Sequence, residues 1–262
     1  MILLRGAGHF ARSGLGWVVA AALAIVWQAT ASAARLHSLA TFTDSATACW
    51  QIISGPSLAS DVLPSVGRAV AGFFIASAMG ITCGLPIGFF RPVDPWVRPL
   101  LEFFRAVPPP LALPLAMLVL GVSWRMEVAI IVFGCLWPVL LNAIDGARRV
   151  DDLLLDTARV SRTGTLGLLL TVVLPASLPQ IFAGLRIALS TSLIMLVVAE
   201  MLAANSGIGY VILNAQQTFQ VNLTYGGVLV LALLGWLFDA AFLQAEQRVL
   251  AWHLLRGREI HV

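Results

Sequence analysis

The sequence contains no lysine, and only 11% of its 262 residues are charged. A soluble globular domain is about 25% charged, so the composition excludes an ordinary water-soluble fold. Hydrophobic residues make up 59% of the chain, which is typical of a membrane protein. Without lysine the chain also cannot form a nucleotide-binding loop of the G-x-x-x-x-G-K-[ST] type, in which the lysine contacts the phosphates. We therefore expect neither ATP nor any other cofactor to be bound by this chain.

Cysteine and histidine are also scarce, which excludes most metal and catalytic sites. The three cysteines, Cys49, Cys83 and Cys135, have neither C-x-x-C nor metal-binding spacing, and we predict that they are small buried hydrophobic residues. None of the four histidines lies within a predicted span, and the chain has no H-E-x-x-H or G-x-S-x-G motif. A metal site and a membrane-embedded enzyme are therefore not expected.

Long apolar runs dominate what is present, and they predict an all-α membrane protein with six transmembrane helices. A helix needs about twenty residues to cross a bilayer, and the predicted spans are about 15–34, 64–90, one that begins near 98, 128–144, 178–204 and 225–245. The first run has an alternative interpretation as a cleaved signal peptide, because its end, Ala31-Ser32-Ala33, resembles a cleavage site. Segments 45–53 and 210–222 are predicted to be short interfacial or re-entrant helices.

The placement of arginine predicts how these spans are oriented. If the N-terminus is cytoplasmic, thirteen of the sixteen arginines fall on the cytoplasmic side, and only Arg35, Arg68 and Arg125 fall outside. Basic residues in short loops are concentrated on the cytoplasmic side of membrane proteins. With six spans, both termini are therefore predicted to be cytoplasmic.

The second predicted span carries a stripe of small residues at every fourth position. Residues four apart share one face of a helix, and small residues allow another helix to approach closely. The stripe therefore predicts a helix interface, and the sequence leaves open whether the partner helix belongs to another subunit or to the same chain. The residues of the stripe are Gly72, Ala76, Gly80, Gly84 and Gly88.

The third predicted span is interrupted by three consecutive prolines, 108–110. Successive prolines cannot continue a regular helix, and a broken helix at membrane depth is tolerated where it is buried in protein or lines a cavity. The break is therefore either part of a transport pathway or the start of a helix that follows an interfacial segment. The candidate pathway residues are Arg105, Pro108, Pro109, Glu200 and Asn205. Alternatively, Arg105 is an inner-leaflet arginine that reaches the interface, and the last two cap the fifth span and its turn.

A polar segment, 151–179, separates the fourth and fifth spans and is too charged to lie in hydrocarbon. We predict that it forms short helices in the cytoplasm. If Asp156 lies near the start of one of them, its charge stabilises the helix dipole. Such short helices need a partner or their own spans to stay ordered.

The residues Asp156, Thr157 and Ala158, with Leu174-Pro175 downstream, resemble the EAA loop of ABC-importer permeases of the binding-protein-dependent type. Thr157 departs from the motif by replacing an alanine, and Arg162 stands where glycine is usual, with Gly164 two residues later. The resemblance implies that this loop couples the permease to an ATPase. The residues that it assigns to coupling are Asp151, Asp152, Asp156, Thr157, Ala158, Arg159, Arg162, Gly164 and Pro175.

Further stretches are similar to the subfamily that imports sulfonates, taurine, nitrate or bicarbonate, and thiamine-precursor pyrimidines. They are 105–109, 178–186, 198–201, 205–210 and 235–239, within a match that covers about residues 60–253. The resemblance implies a type I ABC importer permease fold with short cytoplasmic coupling helices. Three parts follow: 1–59 with the first span and a periplasmic loop, a permease core at 60–250 with the coupling loop at about 150–175, and a cytoplasmic tail at 251–262.

The resemblance also implies the function and the partners. The chain would form the pathway for a small solute, either a small anion or a pyrimidine, in a bacterial inner membrane. Its partners would be a second permease copy related by two-fold symmetry, an ABC ATPase dimer that binds ATP and Mg, a periplasmic or lipid-anchored solute-binding protein, and membrane lipid, but no nucleic acid.

A stand-alone secondary transporter or channel is the main competing class. Such a protein would need paired ionisable groups deep in its spans or inverted repeats. The sequence shows no internal repeat, and the candidates Arg186, Glu200 and Asp239 lie near predicted span ends.

Overall fold

The computed structural model of the protein describes residues 3–34, 39–161 and 163–251. These residues form eleven α-helices and contain no β-strand. In chain order the helices are α1 (Leu3–Ala34), α2 (Phe42–Ser54), α3 (Leu63–Phe89), α4 (Asp94–Ala106), α5 (Leu113–Leu120), α6 (Trp124–Arg148), α7 (Asp152–Val160), α8 (Thr165–Leu168), α9 (Leu174–Ala203), α10 (Ile208–Gln217) and α11 (Val221–Val249). Three expectations, for Arg35, Arg162 and the tail from 252 onward, fall outside the described residues.

Six membrane spans are present if the bent pair α4–α5 is counted as one. Five stretches within the described residues are long and apolar enough to cross a bilayer by themselves: Gly16–Ala33, Leu58–Phe89, Trp124–Arg148, Thr165–Ala203 and Val221–Val249. The prediction of an all-α protein with six spans is therefore confirmed. The helices are longer than the apolar runs because their first and last turns contain polar residues. In α6, the first turn contains Glu127 and the last turn contains Arg148.

The described chain divides into two compact units, Met1–Leu58 with Val211–Leu231 and Ala59–Tyr210 with Ala232–Val262. In the first unit, Trp27 Nε1 of α1 donates a hydrogen bond to the Ala40 carbonyl, with N and O 3.0 Å apart. In the second unit, α3, α6 and α9 pack together around fully buried residues such as Met126, Ile131 and Leu196.

The small-residue stripe of α3 packs against α6 of the same chain, so it is an interface inside the bundle. A Cβ atom added at Gly80 would lie 2.8 Å from Val139 Cγ1, and one added at Gly84 would lie 2.7 Å from Ala143 Cβ. Gly72 and Gly88 approach α6 in the same way, and Ala76 is fully buried. The two backbones therefore run in close contact over about four turns of α3.

The cysteines do not all behave as small buried hydrophobic residues. Cys135 is buried in α6, and its Sγ donates a hydrogen bond to the Ala188 carbonyl of α9 at 3.2 Å. Cys49 is half-buried, and Cys83 is exposed on α3. The prediction was wrong for Cys83 because an apolar run in a membrane protein has a face turned away from the bundle as well as one turned toward it.

We predict that Gly84→Ala destabilises the bundle, whereas Gly67→Ala does not. The added methyl group at residue 84 would overlap Ala143 Cβ and also lie 2.8 Å from the Leu140 carbonyl oxygen, whereas nothing lies within 4 Å of a Cβ at Gly67 on the same helix. Overpacking of this kind costs about 1–3 kcal/mol, so the melting temperature of the purified protein in detergent should fall for the first variant alone. Equal melting temperatures for the two variants would show that the close α3–α6 contact is absent.

Candidate functional site

The polar segment between the fourth and fifth spans forms two short helices, α7 and α8. Asp151 begins α7 as its N-cap: its Oδ1 accepts a hydrogen bond from the backbone N–H of Leu153 at 2.9 Å. Asp152 is the acidic residue in the first turn of α7. Asp156 lies in the second turn of α7, so the condition under which its charge would stabilise the helix dipole is not met. Asp151 and Asp152 occupy the positions that stabilise a helix dipole.

One side of this helix pair is anchored in the bundle. Leu155 of α7 and Leu168 of α8 are buried in a hydrophobic cluster with Val173, Ile181 of α9 and Leu85 of α3. After α8 the chain makes one π-helical turn, Leu169–Val173, and continues directly into α9. α7 and α8 are therefore packed against the neighbouring ends of α3 and α9 in a cluster of low compressibility.

The other side of the helix pair exposes apolar side chains. Leu153 is 72% exposed, Val160 is 85% exposed and Leu166 is 70% exposed, with Leu154 half-exposed beside them. Leu153, Asp156 and Val160 follow one another at helical spacing and share one face of α7. We call the four apolar residues the loop patch. Exposed apolar residues grouped in this way mark an interaction surface.

The remaining coupling candidates lie along α7 and the segment that follows it. Thr157 is exposed and donates its Oγ1 hydrogen to the Leu153 carbonyl at 2.7 Å, while Ala158 is half-buried and Arg159 is the eighth residue of α7. Gly164 precedes α8 with φ −64°, a conformation open to any residue, so the position of this glycine is not fixed by backbone strain. Pro175 is half-buried in the first turn of α9. Asp152 forms an exposed ion pair with Arg91 at 3.1 Å.

A buried charge cluster lies at the other end of the same three spans. Arg68 of α3 places one guanidinium nitrogen, Nη1, 2.8 Å from Glu127 Oε2 of α6 and 2.9 Å from Glu200 Oε1 of α9. Glu200 is completely buried and also accepts a hydrogen bond from Ser65 Oγ at 2.5 Å. The Arg68 guanidinium therefore joins three helices through two carboxylates.

This cluster also fixes the turn that leads into α10. Three consecutive backbone N–H groups, of Gly207, Ile208 and Gly209, donate to Asp61 Oδ1 at 3.0 Å, Ser65 Oγ at 3.0 Å and Glu200 Oε2 at 2.9 Å. The first N–H groups of a helix have no partner within it, so side chains of α9 and of the segment that starts α3 satisfy them here. Gly207 has φ +121°, and a Cβ there would meet the Glu200 carboxylate, so only glycine fits.

The structure therefore separates the candidate pathway residues. Glu200 is enclosed in the cluster and caps the turn, whereas Asn205 is exposed in that turn. Arg105 is exposed in the last turn of α4. Pro108 and Pro109 lie at the break between α4 and α5, where the chain bends by 86°. The prolines thus end one helix, as predicted, and α5 has only eight residues, too few to cross a bilayer without α4.

A small charged cavity of about 180 Å³ lies between α4 and α6. Its charged lining consists of three arginines and two acidic residues, with leucine and isoleucine side chains between them. The lining residues are Arg98, Leu101, Glu102, Arg105, Leu141, Ile144, Asp145 and Arg148.

Sequence reasoning missed the partners of Glu200. Arg68 and Glu127 are 59 residues apart in the chain, and no motif connects them. A signal was available, because an arginine and a glutamate at the outer ends of two apolar spans are expected to pair with opposite charges. Which pairs form depends on helix packing, which the sequence alone did not supply.

We predict that Arg68→Met destabilises the bundle strongly. The variant would leave two carboxylates buried without a counter-charge, and breaking a buried ion pair costs about 3–5 kcal/mol. Thermal unfolding in detergent should show a large fall in melting temperature. The control is Arg125→Ala, because Arg125 is exposed and its guanidinium carbon lies over the Trp124 ring, 5.7 Å from the ring centroid.

A second variant separates the effect of the lost charge from the effect of the changed side-chain size. Combining Arg68→Met with Glu127→Gln and Glu200→Gln removes the uncompensated charge and should recover part of the lost melting temperature. If Arg68→Met alone unfolds at the wild-type temperature, the three side chains do not form a cluster.

Comparison with known proteins gives concordant matches. Residues 62–250 match the family model described as "Binding-protein-dependent transport system inner membrane component". The Bicarbonate transport system permease protein CmpB of Synechococcus elongatus is 33% identical over 178 residues, covering 68% of this chain and 64% of that protein. The Escherichia coli protein described as a candidate aliphatic sulfonates transport permease, SsuC, is 30% identical over 239 residues, 90% of this chain and 91% of its own length.

The Taurine transport system permease protein TauC of Escherichia coli is 29% identical over 189 residues, covering 72% of this chain and 69% of that protein. Among solved structures, a chain of the MetNI methionine ABC transporter in an inward-facing conformation matches with a TM-score of 0.60 at 18% identity. That match covers 70% of this chain and 94% of the other, and it shows a shared fold. The chain belongs to the binding-protein-dependent transport system inner membrane components, the permease subunits of ABC importers.

Proposed function

We propose that this permease forms the pathway for a small organic or inorganic anion and is driven by an ATPase that binds its 151–175 loop. The observation that carries the proposal is the loop patch: its α7 side chains Leu153, Leu154 and Val160 face outward in a segment outside the membrane spans, and Leu166 continues the patch at the first turn of the next span. Each large apolar side chain that a partner covers gains about 1.5–3 kcal/mol when burial is complete. Burial by a protein partner therefore explains why these apolar side chains face outward.

The anchored side of the loop supplies the transmission. Leu155 and Leu168 hold α7 and α8 against the inner ends of α3 and α9, and the π-helical turn joins α8 to α9 without a flexible break. The Arg91–Asp152 pair links α7 to the turn before α4, but it is 65% and 70% exposed and adds at most about 1 kcal/mol. We infer that this pair orients the loop and that the buried leucines transmit the movement.

The partner must supply the nucleotide chemistry in this proposal. The chain has no lysine for a phosphate-binding loop, so ATP and Mg would be bound by an ABC ATPase dimer at the cytoplasmic face. A second copy of the permease would complete the pathway around a two-fold axis, with lipid around both. The arginine distribution supports an orientation in which the loop and both termini are cytoplasmic. A solute-binding protein would then dock on the outer side.

The proposed solute class rests on the relatives and on local charge. Sulfonates, taurine and bicarbonate, which appear in the names of the relatives, are all small and carry an acidic group. The cavity beside Arg105 has three arginines against two acidic residues, a balance that favours an anion at the inner end of the pathway. The alternative solute is a thiamine-precursor pyrimidine or another small heterocycle.

We predict that charge reversal by Asp156→Arg uncouples ATP hydrolysis from transport. Asp156 shares the exposed face of α7 with Leu153 and Val160, so the variant changes the docking surface and leaves the anchored leucines in place. In proteoliposomes with the ATPase and the binding protein, solute uptake per ATP should fall about tenfold or more, since tenfold corresponds to only about 1.4 kcal/mol of lost coupling. The melting temperature should stay near that of the wild type.

The matched control is Asp44→Arg, which reverses an exposed acidic residue on α2, far in sequence from the loop. This variant should keep the wild-type ratio of solute uptake to ATP hydrolysis. Normal coupling in Asp156→Arg would count against ATPase docking on this face. Solute uptake by the permease alone, with no ATPase present, would favour a secondary transporter.

We predict that the cognate solute-binding protein is stabilised by a small anion. Thermal shift against sulfonates, taurine, nitrate, bicarbonate and pyrimidines should raise its melting temperature for a member of the anion group, because a ligand that binds only the folded state at 100 times its dissociation constant stabilises by about 2.7 kcal/mol. A shift with pyrimidines alone would support the alternative solute.

A further inference from the structure

The turn that ends α10 holds a phenylalanine in a backbone conformation that favours glycine. Phe219 has φ +57°, and among the described residues it alone combines a side chain with positive φ. The N–H of Gln220 donates to the Ala215 carbonyl at 2.8 Å, and the N–H of Phe219 donates to the Gln216 carbonyl at 3.2 Å. These two bonds form the Schellman motif, in which the left-handed position is usually occupied by glycine.

Burial of the ring does not offset the strain at this position. A left-handed conformation costs a residue with a side chain about 1–2 kcal/mol, and Phe219 does not regain it by burial, because the side chain is 88% exposed. Strained residues that the fold does not need are found at binding sites, clamps and switches. The geometry thus indicates a role for the ring outside the stability of this chain.

The surroundings of Phe219 are largely apolar and contain no charged side chain among the residues that line the adjacent cavity. No Asp, Glu, Lys or Arg occurs between Glu200 and Asp239. A cavity of about 890 Å³ opens beside the turn, and both α10 and α11 contribute to it. Its lining combines apolar side chains with amide and hydroxyl groups, from Ile212, Ala215, Gln216, Phe219, Val221, Thr224, Tyr225 and Val228.

The walls of this cavity are fixed by packing within its own unit. The Tyr225 ring lies against the Trp27 ring, with centroids 5.8 Å apart. Gly227 of α11 approaches Ile212 of α10 so closely that a Cβ there would overlap it, and Gly226 packs on Ala48 of α2. The cavity is therefore set by the fold, with the Phe219 ring as its exposed element.

We propose that Phe219 is a constriction residue of the translocation pathway and that the cavity beside it holds the small anionic solute through the side-chain amide of Gln216 and the hydroxyl of Tyr225. This assignment rests on the proposed function. Amide and hydroxyl hydrogens bind an oxyanion without the full charge that would retain it, and a conduction site must bind weakly enough to release. The exposed ring narrows the passage by its size.

The first test removes the ring and relieves the strain together. Phe219→Gly places glycine in the left-handed position, so its melting temperature should equal or exceed that of the wild type. In proteoliposomes with the ATPase and the binding protein, solute uptake per ATP should nevertheless fall roughly five- to tenfold, the lower range of coupling between sites. Phe219→Tyr keeps the ring and should retain the wild-type ratio of solute uptake to ATP hydrolysis.

The second test asks whether the position faces water. Phe219→Cys is made in a chain whose native cysteines at 49, 83 and 135 are replaced by alanine, and the membrane is treated with a charged, membrane-impermeant thiol reagent. The introduced thiol should react, the reaction should stop solute uptake, and saturating solute with its binding protein should slow it. Leu23→Cys, exposed on the first span, is the lipid-facing control and should not react.

The outcomes separate this inference from the proposed function. Wild-type uptake per ATP in Phe219→Gly, or no reaction at the introduced thiol, overturns the role of Phe219 while the importer assignment stands. If the wild-type complex takes up none of the small anions, whereas the introduced thiol reacts and a pyrimidine slows the reaction, the anion proposal fails and the constriction remains. Reaction without any loss of uptake places Phe219 on the outer surface and overturns the inference.

Discussion

Inside an apolar bundle, every charged or hydrogen-bonding group must pair with another group of the chain. At one end of this bundle, Glu200 is the group on which that pairing depends. Its two oxygens accept hydrogen bonds from Ser65 and Arg68 of α3 and from the N–H of Gly209 in the first turn of α10, and Arg68 extends the contact to Glu127 of α6. Loss of any one of these groups leaves a buried charge or donor unpaired. The relative positions of α3, α6 and α9 follow from this cluster, and the glycine contact between α3 and α6 continues it along the helices.

The inner ends of the same helices are held in a different way. There the contacts are apolar, with Leu85 of α3, Ala143 and Ala147 of α6 and Ile181 of α9 packed on the buried leucines of the loop. Hydrogen bonds impose direction, whereas apolar contacts are non-directional and allow small sliding at modest cost. A bundle fixed at its outer end and packed by hydrophobic contacts at its inner end can transmit a displacement of the loop patch along its spans. Under the proposed coupling, force applied at α7 would reach the membrane region without breaking the cluster.

The sequence predicts those features that depend on neighbouring residues. The apolar runs predict the spans, the prolines predict the break after α4, and the small-residue period predicts a helix interface, although only the structure places α6 opposite it. Features that depend on distant residues were not predicted. Arg68 meets Glu127 and Glu200 only after three spans pack, and Asp156 could not be placed in the second turn of α7 until Asp151 was known to cap that helix. Phe219 gave no signal, because nothing in its neighbours indicates positive φ.

The distribution of charge along the chain favours a pathway that does not select its solute. Between Glu200 and Asp239 the polar side chains are all uncharged, so a solute that passed this segment would meet weak hydrogen bonds, which release as readily as they form. Basic residues are expected on the cytoplasmic side whatever the solute is, so the arginines around the cavity between α4 and α6 do not by themselves identify an anion. Residues 221–238 lie in the last span, where charge is costly in any case, so the uncharged turn and helix before it, residues 204–220, are more informative. A permease that binds weakly there needs another protein to recognise the solute first, and this is the arrangement that the family name describes.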